Sequence, residues 1–194
     1  MEQILLQLKI RGIKMNFLNI GTIIAAVRTE DDFEAALKSD ADIIFDLSPD
    51  LLNIIHRVKE THEKNKKLFV HIDLASGIGK DKSGLAFVKK AGADGIISTR
   101  VNIIKIAREL GMITVQRFFI VDSHSIDTTI DGVKASHPDM IELMPGIALK
   151  AIKKLKEIID SPIIAGGLIE EKEEIEATIN AGATAISTGK KELW

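Results

Sequence analysis

The chain has 194 residues, enough for one domain and short for two, and its 45% hydrophobic and 28% charged content is that of an ordinary globular protein. The absence of cysteine excludes disulfides and thiolate chemistry, and a net charge of −2 counts against a surface that coats nucleic acid through overall basicity. No run approaches the roughly 18 apolar residues that span a bilayer. The opening MEQILLQLKIRGIKM, broken by Gln7, Lys9 and Arg11, lacks the cleavage site of a secretory signal, so a soluble cytoplasmic protein is expected.

Residues 1–14 read as an N-terminal extension and residues 20–194 as one barrel domain. Along the chain, near-continuous apolar runs predict parallel strands at 22–27, 42–47, 67–73, 95–100, 113–119, 140–144, 162–166 and 184–188. Amphipathic segments lie between them. Ser48-Pro49 reads as an N-cap followed by a proline at the first helical position. Glu170, Glu171, Glu173 and Glu174 load the start of the last helix with acid, which suits its dipole. Gly92, Gly111 and Gly182 each read as a helix C-cap just before a strand. Eight such units predict an α/β fold, a (β/α)8 TIM-type barrel of parallel strands, with an open doubly wound sheet as the rival. The final helix after strand 8 is expected to be absent. The outer face of strands 8 and 1 is then expected to be covered by Ile4, Leu5 and Leu8 or by a second subunit, a possible homo-oligomer.

Strand 7 ends in Ile164-Ala165-Gly166-Gly167-Leu168-Ile169 and strand 8 in Ile186-Ser187-Thr188-Gly189-Lys190. In barrels, the loops after these two strands frequently hold phosphate. Paired glycines let backbone N–H groups approach the oxygens, and Ser187 or Thr188 adds a hydroxyl. The bland alternative is a tight strand-to-helix turn. The other strand ends supply Arg28, Asp46, His71 with Asp73, Ser98 with Arg100, Gln116 with Arg117, and Glu142. This ring suits a ligand that bears an anion and several hydroxyls. Glu142 and Arg117 read equally well as a buried ion pair. His71 is the best acid–base group, but no residue is assigned a catalytic role, no metal or cofactor is expected, and Lys67 lies at the wrong end of strand 3 for a Schiff-base aldolase.

The phrases IIAAVR (23–28), LFVHIDLASGIGKDKSG (68–84), ADGIISTR (93–100), TVQRFFIVDS (114–123), IELMPG (141–146), PIIAGGLI (162–169) and STGKKELW (187–194) resemble the glycerol uptake operon antiterminator family. The resemblance implies a regulator of this barrel fold rather than an enzyme. It implies a protein that responds to glycerol 3-phosphate and lets transcription pass a terminator in the leader mRNA of glycerol-use genes. Its polar phrases fall on Arg28, His71, Asp73, Ser98, Arg100, Gln116, Arg117, Glu142, Gly166, Gly167, Ser187 and Thr188. Gly189 departs from the family pattern where a serine is expected, and Leu149 where proline is frequent. Two other readings remain at this stage: an isomerase, epimerase or lyase acting on a small sugar phosphate, and a ligand-binding barrel whose output is a protein contact. RNA binding has no independent support here, since Lys64-Lys66-Lys67, Lys80-Lys82, Lys89-Lys90 and Lys150-Lys153-Lys154-Lys156 also read as solvated helix faces.

Overall fold

The computed structural model describes residues 17–194, so Ile4, Leu5, Leu8 and the extension 1–14 lie outside the described residues. Eight parallel strands close into a barrel in chain order: β1 (Thr22–Val27), β2 (Ile43–Asp46), β3 (Lys67–His71), β4 (Gly95–Ser98), β5 (Ile113–Phe119), β6 (Met140–Met144), β7 (Ile163–Gly166) and β8 (Ala185–Thr188). β8 pairs back onto β1, with Ser187 opposite Ile24. Helices α1 (Glu30–Lys38), α2 (Ile54–Glu63), α3 (Lys82–Lys90), α4 (Val101–Glu109), α5 (His124–Ser136), α6 (Leu149–Ile158) and α7 (Lys172–Asn180) connect the strands. The architecture is the expected TIM-type barrel. After β8 the described chain makes only a 3-10 turn, Lys191–Leu193. None of the described helices is long and apolar enough to cross a membrane.

Alternation along the strands sorts the core into two shells. Ile24, Phe45, Phe69, Ile97, Val115 and Ile164 fill the barrel interior. Their sequence neighbours, such as Ile44, Val70, Ile96 and Ala165, pack outward under the helices. The near-continuous apolar runs follow directly, because both faces of each strand are covered. Gly92, Gly111 and Gly182 have φ of 96°, 74° and 112°, the left-handed C-cap conformation expected of them.

Three local readings need correction. Ser48-Pro49 does not start a helix. Ser48 donates its N–H to Asp46 Oδ1 and its hydroxyl to the Arg28 carbonyl, Asp50 bridges Ser76 in parallel, and α2 begins only at Ile54. β3 ends at His71, and Asp73 sits in a 3-10 turn, Ile72–Leu74, rather than on the strand. β4 stops at Ser98, because Arg100 already serves as the N-cap of α4.

Two polar clusters tie the shells together at the ends of the barrel. The C-terminal turn is anchored where Trp194 Nε1 donates to the Thr188 carbonyl (2.8 Å) and Lys191 pairs with Asp32 (2.8 Å). Trp194 also packs on the cluster that contains Ala25 and Val27. Burial works to raise the Asp32 carboxyl, but Lys191, Thr29 and two backbone N–H groups outweigh it and hold the group at about 2. At the opposite end, Asp94 accepts from Lys67 Nζ (2.8 Å), His62 Nε2 and the Leu68 N–H (both 2.9 Å). Burial again works to raise this carboxyl, and these three donors override it and hold it below the usual range. Its contribution is therefore complete above about pH 3.8 and is lost as pH falls through the lower folded value. Asp94→Asn is expected to cost about 1–3 kcal/mol at pH 7. In urea unfolding its gap from the native chain should narrow below about pH 4, and a gap independent of pH would refute the assignment.

Candidate functional site

The top layer of the barrel interior is set by the same alternation that fills its core. One step beyond Phe69, Val115, Met140, Ile164 and Ala185 stand His71, Arg117, Glu142, Gly166 and Ser187. An apolar plug therefore ends in a polar floor at the C-terminal mouth, the usual place for function in this fold.

Arg117 and Glu142 face each other across the β5–β6 register, with Nε 2.6 Å from Oε2 and both side chains almost fully buried. They form the buried ion pair, and the space it needs explains Gly166. A Cβ at Gly166 would collide with Glu142 Oε1, so this glycine is required by close approach. Gly167 is required by conformation, with φ of 76°, and it is followed by Leu168 at φ 60°. A leucine in the left-handed region costs about 1–2 kcal/mol. The turn nevertheless keeps it there with the side chain 63% exposed, so packing of that side chain is not what holds it. The Gly167 carbonyl accepts from the Gly146 N–H (2.9 Å), and the N–H groups of Gly167, Leu168 and Gly189 have no backbone partner among the described residues. A Cβ on Gly189 would lie 3.6 Å from the Ala26 carbonyl, an ordinary contact, so serine would also fit there.

His71 sits in this floor, 3% exposed, with Nδ1 buried and unpartnered. Desolvation first, then the positive charge of Arg117, holds its pKa down at about 4 despite the opposing pull of Asp73; Arg28 adds to the lowering. The imidazole is neutral at pH 7, and a buried ring nitrogen without a partner suits a ligand hydroxyl. As pH falls from 6.5 towards 4 the unfolded chain takes up a proton that the folded chain refuses, so stability falls over that window. His71→Gln is expected to flatten this slope in urea unfolding between about pH 6.5 and 4. An unchanged slope would show that His71 titrates normally.

Around the floor, Asp73 organises the end of β4. It accepts from Ser98 Oγ (2.8 Å), the Thr99 N–H (2.7 Å) and Thr99 Oγ1 (3.0 Å), and Arg100 Nε lies 3.7 Å away. Arg28, exposed at the end of β1, makes no ion pair among the described residues, nor does the Ser187 hydroxyl have a hydrogen-bond partner there.

Two residues expected at the mouth are elsewhere. Asp46 lies on the outward face of β2, where Arg57 of α2 grips both its oxygens at 2.9 and 3.0 Å and also holds Glu30. Gln116 lies on the outward face of β5 and accepts from Ser136 of α5. In both cases a polar side chain under the helix layer is stabilised by a partner from that layer. Ser98 and Thr188 also have outward register. Thr188 Oγ1 donates to the Ile169 carbonyl (2.7 Å) and accepts from the Lys190 N–H, which clamps the β7 and β8 loops together. Thr99 and Gly146 are contributors that sequence reading passed over. Gly146 carried one visible signal, the Met-Pro-Gly phrase.

The mouth thus joins two arginines, a neutral histidine, a hydroxyl and free backbone donors on the β7 and β8 loops. That set suits a small phosphate ester with hydroxyl groups. Residues 23–194 match the glycerol-3-phosphate responsive antiterminator family. The glycerol uptake operon antiterminator regulatory protein of Listeria monocytogenes is 34% identical, with a TM-score of 0.87 over 94% of this chain and 98% of that one. A glycerol uptake operon antiterminator-related protein of Thermotoga maritima is also 34% identical, with a TM-score of 0.81 over 91% of this chain and 99% of that one. Among curated sequences, YgcP of Escherichia coli K12 is 35% identical over 181 residues, 93% of this chain and 95% of that protein. The chain belongs to the glycerol-3-phosphate responsive antiterminator family.

Proposed function

We propose that the protein senses glycerol 3-phosphate at the barrel mouth and, when loaded, binds the leader mRNA of glycerol-use genes to let transcription continue. Membership of the family supports the regulatory role. The observation that carries the ligand reading is the convergence of Arg28, Arg117 and neutral His71 beside the Gly167–Leu168 turn. In this reading the backbone N–H groups of Gly167, Leu168 and Gly189, with Ser187 and Arg28, take the phosphate, and His71 takes a glycerol hydroxyl. Arg117 and Glu142 shape the floor beneath it.

A sugar-phosphate enzyme is less well supported by the same residues. A general acid or base works best with a pKa near the working pH. His71 is held near 4, Glu142 is committed to Arg117, and Lys67 is paired with Asp94 at the far end of the barrel.

The test is binding of a glycerol-gene leader transcript with and without glycerol 3-phosphate. Linkage predicts that the ligand tightens RNA binding about 5- to 150-fold, with affinity falling steeply as salt rises. RNA binding indifferent to the ligand would sink the coupling, and no RNA binding at all would sink the RNA role.

A further inference from the structure

α6 carries a charge arrangement that the fold does not use. Four lysines stand against the single Glu157, giving the helix a net charge of +3. Ala151, Ile152 and Leu155 bury its apolar face, while Lys150, Lys153, Lys154 and Lys156 are exposed. Some exposed helix lysines have a carboxylate one turn away, as in Lys38–Glu34 and Lys59–Glu63, while Lys82, Lys90, Lys105, Lys134 and Lys172 make no ion pair among the described residues; α6 differs in gathering four lysines on one helix. None of the four lysines of α6 makes an ion pair among the described residues. Lys150 sits in a first turn that contains no acid, where the helix dipole disfavours a cation. The flanking helices expose acids instead, Asp127 and Asp131 on α5 and Glu173 and Glu176 on α7, so the positive strip is narrow.

A second feature lies at the same end of the barrel as the head of this strip. Phe119 is 56% exposed, and Val121 and Ile147 also reach solvent. Phe119 stands in register with Met144, the last residue before the loop that leads into α6. A solvated aromatic ring at the same end of the barrel as the first turn of a lysine-bearing helix offers a single-stranded polynucleotide a stacking surface and phosphate partners. The loop between Met144 and α6 is also locked to the phosphate turn. Gly146 donates to the Gly167 carbonyl, and it is packed so closely that a Cβ would come within 2.5 Å of Ile169 Cδ1. This hydrogen bond and this packing join the Gly167–Leu168 turn physically to the loop that leads into α6.

We propose that the lysine face of α6, together with Phe119, is the RNA-binding surface, and that it takes a single strand. This rests on the reading of the protein as an RNA regulator. The test measures fluorescence anisotropy of a labelled glycerol-gene leader transcript at several salt concentrations, with saturating glycerol 3-phosphate. The full chain is compared with K150E/K153E/K154E, with F119S, and with K82E/K90E on α3 as a charge-reversal control elsewhere on the surface. The triple variant is expected to bind RNA about 100-fold or more weakly, with a salt slope shallower by about 0.7 for each phosphate that a lysine no longer neutralises. F119S should weaken binding about 5- to 100-fold. The α3 control should match the unmodified chain, and calorimetric affinity for glycerol 3-phosphate should be unchanged in every variant. If the triple variant keeps full RNA affinity, the surface is overturned while the regulatory reading stands. If the unmodified chain binds no RNA, both fall together. Poly-glutamate bound as tightly as the transcript, and weakened equally in the triple variant, would give the strip to an acidic protein and overturn the RNA assignment.

Discussion

Arg117→Met is expected to lower stability by about 3–5 kcal/mol, because it leaves Glu142 charged, buried and alone. Glu142 Oε2 lies 2.6 Å from Arg117 Nε, and the two side chains are 1% and 5% exposed. Gly166 packs against the carboxylate from the β7 side, so Glu142 has little room to turn towards water. Urea unfolding at pH 7 measures the loss. Arg117→Met combined with Glu142→Leu should recover much of it, since an apolar pair of similar volume removes the stranded charge. The double variant should still fail to bind ligand, because the floor has lost its charges. A single Arg117→Met change costing less than about 1 kcal/mol would mean that Glu142 is solvated or neutral without its partner, contrary to the burial described.

Gly167→Asp carries the second large effect, on binding rather than folding. Gly167 has φ of 76°, and aspartate tolerates this region better than most residues. A Cβ there would lie 2.8 Å from Met144 Cε, the flexible end of a side chain that can shift. The variant should therefore fold while placing a carboxylate where a phosphate is expected. Affinity for glycerol 3-phosphate should drop by about 100-fold or more, in line with two like charges at close range in a partly dry site. Gly167→Ala has the same Cβ without the charge and should keep measurable binding, which separates repulsion from strain. An aspartate variant that binds like the native chain would reduce Gly166-Gly167 to a structural turn.

The strands were legible because parallel strands covered on both sides carry uninterrupted apolar runs, and each predicted run contains its strand to within a residue or two at most ends. The slips fall where side chains take over from periodicity. Asp73 leaves the strand to gather Ser98 and Thr99, and Ser48 turns back to Asp46 and Arg28. The same double coverage limits reading of the site. In an amphipathic strand the apolar face tells which way a polar residue points, but here both faces are apolar. His71, Arg117 and Glu142 share a register with the interior core, whereas Asp46 and Gln116 are one step out of it. Nothing in a run such as IIFD or ITVQRFF distinguishes the two registers. What decides is a partner far along the chain, Arg57 for Asp46 and Ser136 for Gln116. The charge on α6 was visible as a lysine cluster, but its lack of carboxylate partners and the placing of Phe119 at the same end of the barrel needed the fold.

The measurement that tests the account most directly is calorimetric titration of the unmodified protein with glycerol 3-phosphate, with glycerol and inorganic phosphate titrated separately. The mouth described above predicts saturable binding of glycerol 3-phosphate and much weaker heats for the other two, because each occupies only part of the site. No heat with glycerol 3-phosphate, or equal affinity for inorganic phosphate, would contradict it.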